Sequence, residues 1–374
     1  MVERMRREMI ELGYDEVHVD RMGNLIGRLG HGPRLLAVDG HCDTVAVGNP
    51  DSWEVDPLGG EVRDGVILGR GAADQKGGLG AAIYAGAIIK ELGVPEQITL
   101  LVVASVLEED VEGLSWRHLT GTEGIRPAAV LLTEPTGLAL NIGQRGRLEI
   151  GVRVSGVSCH GSAPDRGSNA IYRIAPIILE VEALHHRLGG DSVLGKGSIA
   201  ATDIRSTAPS LCAVADSATL HLDRRLTEGE TRESALAEVR DLPAVVAAAA
   251  DVFVPQYRGT AYTGLLLTAE CHFPPWLMDR DHPLVETALQ TYLRQFGEEA
   301  RLGLWQFSTN GVITCGECGI PTIGFGPGEE AHAHTTDDQV RVDDLVTSME
   351  FYAGFVLGWA SMQREDVSED RGRS

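Results

Sequence analysis

Ile98-Thr99-Leu100-Leu101-Val102-Val103-Ala104-Ser105-Val106 is an almost unbroken apolar run, followed at once by Leu107-Glu108-Glu109-Asp110. A strand solvated on one face alternates apolar with polar side chains. A run without alternation belongs to a strand covered on both faces, as in the centre of a parallel sheet. Residues 128–134 repeat the pattern and end on Thr133-Glu134-Pro135, while residues 35–41 form a shorter strand ending on Gly40-His41. Residues 77–92 read as a helix, so strands alternate with helices and the expected class is α/β.

After Gly143-Gln144-Arg145-Gly146 the character changes. Residues 148–154 alternate as a half-solvated strand does, and a helix over 169–188, an alternating strand over 218–226, a helix over 231–242 and an apolar strand near 252–254 follow. That order fits a two-layer α+β insert. From about Glu270 the first pattern resumes, with a helix over 284–296, a glycine-rich strand over 321–326 and a closing helix over 343–362. The expectation is one domain over 1–148 and 270–374, interrupted by a second over 149–269. The charged tail 364–374 is expected to be disordered.

Composition excludes several classes. Across 374 residues, 32 Lys and Arg stand against 54 Asp and Glu, a formal charge of -22, which repels nucleic acid and anionic membrane surfaces. No run of about 18 apolar residues occurs and the first twelve residues are charged, so neither a membrane span nor a secretion signal is expected. Six cysteines are too sparse for a disulfide scaffold and read as reduced thiols in a cytoplasm. Cys315 and Cys318 have C-x-x-C spacing, but no second pair completes a tetrahedral zinc site.

Metal-compatible side chains recur where apolar strands run out, which is where sites sit in α/β sheets. His41 offers a ring nitrogen and Asp43, two residues on, could orient it. Taken alone this pair reads more readily as a surface His beside an Asp. Asp74, in Gly69-Arg70-Gly71-Ala72-Ala73-Asp74-Gln75-Lys76-Gly77-Gly78, could bridge two cations or merely cap the helix that follows. Glu108 and Glu109 reach one site only if the chain leaves the strand there, and Gly113 offers an exit; a solvated acidic loop is the other reading. Glu134 ends another strand, and His334 lies in Ala333-His334-Thr335-Thr336-Asp337-Asp338.

Together, H-x-D, G-R-G-x-x-D, E-E, E-P after a strand and a final H before acidic residues resemble the M20 metallopeptidase family. That family includes acetylornithine deacetylase, succinyl-diaminopimelate desuccinylase, aminoacylase and glutamate carboxypeptidase. The stretches 143–147, 157–169 and 307–312 look closest to its YgeY-like branch. The resemblance implies a mixed-sheet zinc-peptidase domain with an inserted lid that dimerises, and hydrolysis of an amide or peptide bond in a small N-acyl amino acid or peptide-like substrate. It further implies that Asp74 bridges two Zn²⁺, one completed by His41 and Glu134 and the other by Glu109 and His334, with Asp43 supporting His41 and Glu108 as general base. Co²⁺ or Mn²⁺ suit the same donors. A cis Asp74-Gln75 peptide is implied too. His160, in Ser158-Cys159-His160-Gly161-Ser162, resembles the lid histidine that reaches the partner subunit's site and would steady the oxyanion.

Some positions depart from the family pattern. Cys212 stands where Asn is common and Ala215 where Pro is, which leaves the substrate class open. Ser308-Thr309-Asn310-Gly311 replaces an Asp-containing loop, so Asn310 is a candidate substrate contact. The chain starts close to Asp20, without the extra N-terminal helix usual for the family. Arg145, Arg147, Arg225 and Arg258 are candidate carboxylate receptors, Arg258 being singled out. Two other readings compete: a small-molecule binding protein that kept the fold without turnover, and a carbohydrate hydrolase using Glu108 and Glu134 as paired carboxylates.

Overall fold

In the computed structural model, residues 1–362 are described; the tail expected to be disordered lies outside them. The apolar run becomes the strand Ile98–Ser105, buried at every position. It sits inside a nine-stranded sheet, beside Leu25–Leu29 on one side and Arg34–His41 on the other. Arg34–His41, Ile98–Ser105, Ala129–Leu132 and Thr322–Gly324 run parallel. Leu25–Leu29 and Leu140–Gln144 flank this block antiparallel, making the sheet mixed. The helices Gly77–Leu92 and Val342–Ala360 pack on one another. Both bury apolar residues that join the core of the sheet.

A second sheet orders Ser198–Thr207, Ser217–Leu226, Gly146–Ser155 and Asp251–Phe253, with His272–Phe273 also on Gly146–Ser155. Ile174, Ile177, Val181 and Leu184 of the helix Ala170–Arg187 recur at helical spacing and share a separate core with Leu148, Ile150, Leu220 and Leu222. Pro176 sits inside that helix. Ser198–Thr207 gave no alternating signal because this edge strand has two side chains that are not exposed, Ser198 and Ile199. Leu140–Gln144 also escaped notice, since its Asn141 and Gln144 resemble loop residues. Both are buried, and Gln144 bonds Ser308 and Thr309.

Two close approaches hold the strand end at Glu134. A Cβ on Gly78 would lie 2.3 Å from the Thr133 carbonyl oxygen, and one on Gly326 would lie 2.2 Å from that of Glu134. Neither neighbour is a movable side-chain tip. Gly326→Ala is therefore expected to cost about 1–3 kcal/mol as an overpacking change, read from the midpoint of urea unfolding. An unchanged midpoint would show that this contact has slack.

Candidate metal centre

The four parallel strands Arg34–His41, Ile98–Ser105, Ala129–Leu132 and Thr322–Gly324 each lead to a residue of the site beyond or at their carboxyl ends. His41 is the last residue of its strand. The chain leaves Ile98–Ser105 through Leu107, whose φ of 60° turns it out of the sheet one residue before Glu108. The exit is therefore at Leu107; Gly113, also at positive φ, instead precedes the helix Leu114–Gly121. Glu134 follows Ala129–Leu132. Asp74 lies in an irregular helical turn before Gly77–Leu92, and the Asp74-Gln75 peptide is cis. His334 comes from the loop after Thr322–Gly324, itself at φ 60°, a region that histidine enters more readily than most residues.

These side chains converge. His41 Nε2 lies 2.9 Å from Asp74 Oδ1, 3.8 Å from Glu134 Oε1 and 3.9 Å from Glu108 Oε2. His334 Nε2 lies 2.8 Å from Glu109 Oε2 and 3.3 Å from Asp74 Oδ2. The two oxygens of Asp74 thus face two different imidazoles. His332, two residues before His334, pairs with Asp337 at 3.4 Å, outside this cluster.

Burial pushes the carboxyls of Glu108 and Glu134 well above the usual range, and neighbouring carboxylates add to the effect. For His41, burial opposes charge, yet Glu134, Asp74 and Glu108 outweigh it and raise the imidazole well above its ordinary value. Hydrogen bonds to Asp74 and Glu109 raise His334 to about 10. Burial alone would raise Asp74 too, but bonds from His334 and His41 hold it low. Such clustered acid is costly to desolvate unless cations compensate it. Glu108 Oε1 is buried with no hydrogen-bond partner. Imidazole nitrogens and carboxylate oxygens at these separations are a donor set that zinc, cobalt or manganese accepts, so the residues fit metal ions.

The supporting contacts differ in part from expectation. His41 Nδ1 is 3.0 Å from the backbone carbonyl of Asp43 and 3.7 Å from its carboxylate. The Asp43 carboxylate instead accepts the Glu109 N–H at 3.1 Å. Asn310 does not line the cavity: it is buried, donates to Asp39 and Ser105 and accepts from Gly113 N–H. Its amide is consumed in tying two strand ends together. Arg258 lies exposed on the hairpin strand Gln256–Thr260, also away from the cavity lining. His160 is exposed on the second sheet's side, beside the Cys212 loop, where Gly161 N–H donates to the Cys212 carbonyl.

The cavity holds about 350 Å³ and is lined by Glu108, Asp74 and His334 on one wall and by Arg147 and Arg225 from the second sheet. Those arginines are cross-strand neighbours. Arg147 pairs with Glu112 at 2.6 Å and lies over the Phe273 ring. Glu112 was overlooked because it reads as one more acid in a loop. Asp338 was seen only as an acidic neighbour of His334. It is buried, accepts N–H bonds from Gly71 at 2.6 Å and Ala73 at 2.9 Å, and pairs with Arg70 at 3.1 Å. One carboxylate thereby clamps the loop that presents Asp74.

The fold and this site, with the family to which the chain belongs, define a metallohydrolase of C–N bonds. The profile of Peptidase family M20/M25/M40 matches residues 37–358, and the chain belongs to that family. It is 48% identical over 363 residues to the protein YgeY of Escherichia coli K12, covering 97% of this chain and 90% of that one. It is 30% identical over 366 residues to a succinyl-diaminopimelate desuccinylase of Rhodospirillum centenum, covering 93% and 87%. Among solved structures, the aminopeptidase PepT of Bacillus cereus superposes with a TM-score of 0.71 at 20% identity, covering 96% of this chain and 92% of that one. That likeness speaks to the fold.

If Asp338 is the clamp, Asp338→Asn should weaken metal binding about 10- to 100-fold, as loss of an outer-shell partner typically does. Competition against a chromophoric chelator measures it. Unchanged affinity would mean that glycine packing alone holds the Asp74 loop.

Proposed function

We propose that this chain hydrolyses the amide or peptide bond of a small N-acyl amino acid or peptide-like substrate, with two zinc ions held by His41, Asp74, Glu109, Glu134 and His334. The observation that carries the reading is the placement of Asp74 between two imidazole donors, at 2.9 and 3.3 Å. When bound, such ions polarise a carbonyl and acidify water at neutral pH. Glu108, buried in the cavity wall with one oxygen unpartnered, is the general base. It takes the proton of the attacking water and returns it to the leaving amine. Arg147 and Arg225 on the facing wall receive a substrate carboxylate through forked hydrogen bonds.

His160 does not line the cavity of its own chain. Its Nδ1 accepts the Ser162 N–H at 3.1 Å, which leaves the imidazole proton on Nε2 as a free donor. A homodimer built through the inserted domain, 149–269, would let that donor steady the oxyanion in the partner subunit. All six cysteines are free, which supports a reducing, cytoplasmic setting.

Dialysis against a chelator should abolish amine release from a panel of N-acyl amino acids and dipeptides, and added zinc should restore it; chelator-insensitive release would sink the metal-dependent reading. Glu108→Gln should lose about 10²- to 10⁴-fold in kcat with metal content by mass spectrometry unchanged. A variant of near-normal activity would remove Glu108 from the base role. His160→Ala should lose more than about tenfold in kcat while sedimentation still reports a dimer, and a smaller loss would exclude it as the oxyanion donor.

A further inference from the structure

Away from the cavity, three donors from two separate parts of the chain meet. His118 lies in the last turn of the helix Leu114–Gly121. Thr122 and Glu123 fold back over that turn, their N–H groups donating to the His118 carbonyl at 2.8 and 3.1 Å. Asp20 arrives from the turn before Leu25–Leu29. His118 Nε2 is 3.2 Å from Glu123 Oε1 and 3.8 Å from Asp20 Oδ2, and donor atoms of the three lie within 4.8 Å of one another. Two ligands of one tetrahedral zinc, each at 2.0–2.1 Å, are about 3.4 Å apart, so the His118–Glu123 separation is already that of neighbouring ligands, and Asp20 stands a few tenths of an ångström beyond it.

Two observations separate this cluster from a chance surface grouping. The His118 side chain is 10% exposed, and its buried Nε2 makes no hydrogen bond, Glu123 Oε1 standing beside it as an ion-pair contact only. The Asp20 side chain is 0% exposed and already oriented: Oδ1 accepts N–H bonds from Gly23 and Asn24, and Oδ2 accepts from Asn24 Nδ2. Each oxygen has two lone pairs, so Oδ2 keeps one for a further partner. The site also adjoins a helix C-terminus, whose partial negative charge favours a cation.

We propose that His118, Asp20 and Glu123 form a further divalent-cation site, distinct from the catalytic pair, of the nitrogen-and-oxygen type that suits Zn²⁺, with water completing the shell. Its role is structural. Asn24 Oδ1 accepts from Ser115 Oγ at 2.8 Å and from Val106 N–H at 3.1 Å. A cation there cross-links the Asp20 turn to the helix behind the bend that presents Glu108.

The test is equilibrium dialysis of the full chain against micromolar Zn²⁺, with bound metal counted by mass spectrometry and Tm recorded. Glu123→Gln and His118→Ala are each expected to bind about one ion fewer than the parent chain. In an Asp74→Asn background, which impairs the catalytic centre, Zn²⁺ should still raise Tm, and adding Glu123→Gln should remove that rise. Glu123 is partly exposed, so its variant decides the matter if His118→Ala does not fold. Unchanged ion count and Tm response in Glu123→Gln would overturn the proposal and leave an ordinary histidine–carboxylate ion pair.

Discussion

Four carboxylates, those of Asp74, Glu108, Glu109 and Glu134, and the imidazole of His334 line one cavity, with the buried His41 imidazole against Asp74, and several of these groups are almost wholly removed from water. Like charges in such a setting repel strongly and lose hydration that nothing apolar replaces. Everything else about the molecule is arranged around meeting that cost. The carboxylate of Asp74 is placed between the imidazoles, and burial, with neighbouring carboxylates adding, pushes the carboxyls of Glu108 and Glu134 well above their usual range. A site of this kind suits cations whose charge is concentrated, and such cations, once held, polarise what binds to them.

Placing six groups to within a few tenths of an ångström needs a frame that does not yield. The parallel strands provide it, because their carboxyl ends lie in one line and the loops that follow start from fixed points. Asn310 ties Asp39 and Ser105 across two of those ends. Asp338 clamps the Asp74 loop through backbone N–H groups. Glu112 steers Arg147 from the second sheet toward the cavity. Asn310 and Asp338 do not line the cavity and Glu112 does, yet each sets the position of another group of the site.

Much of this was legible in the chain. Unbroken apolar runs such as Ile98–Ser105 marked central strands because burial on both faces leaves no room for polar side chains. The acids and histidines at their ends stood out for the opposite reason. What escaped were elements whose side chains carry no periodic signal: the exposed edge strand Ser198–Thr207 and the polar but buried Leu140–Gln144. Asn310 and Arg258 mark the limit of the same logic, since a polar residue in a loop looks available until its partners are known. Asn310 spends its amide in the core, and Arg258 stands on an exposed hairpin.

The residue types of the candidate centre and the strands that carry them follow from sequence alone, because burial and metal affinity are properties of side-chain chemistry and local pattern. Which atoms meet does not. That Asp43 orients His41 through its backbone carbonyl, that Asp338 holds the Asp74 loop, and that Asp20 joins His118 and Glu123 all depend on contacts between distant segments. Such contacts leave no periodicity behind. They are decided only when the sheet closes and each buried polar group must find a partner or bear the cost of lacking one.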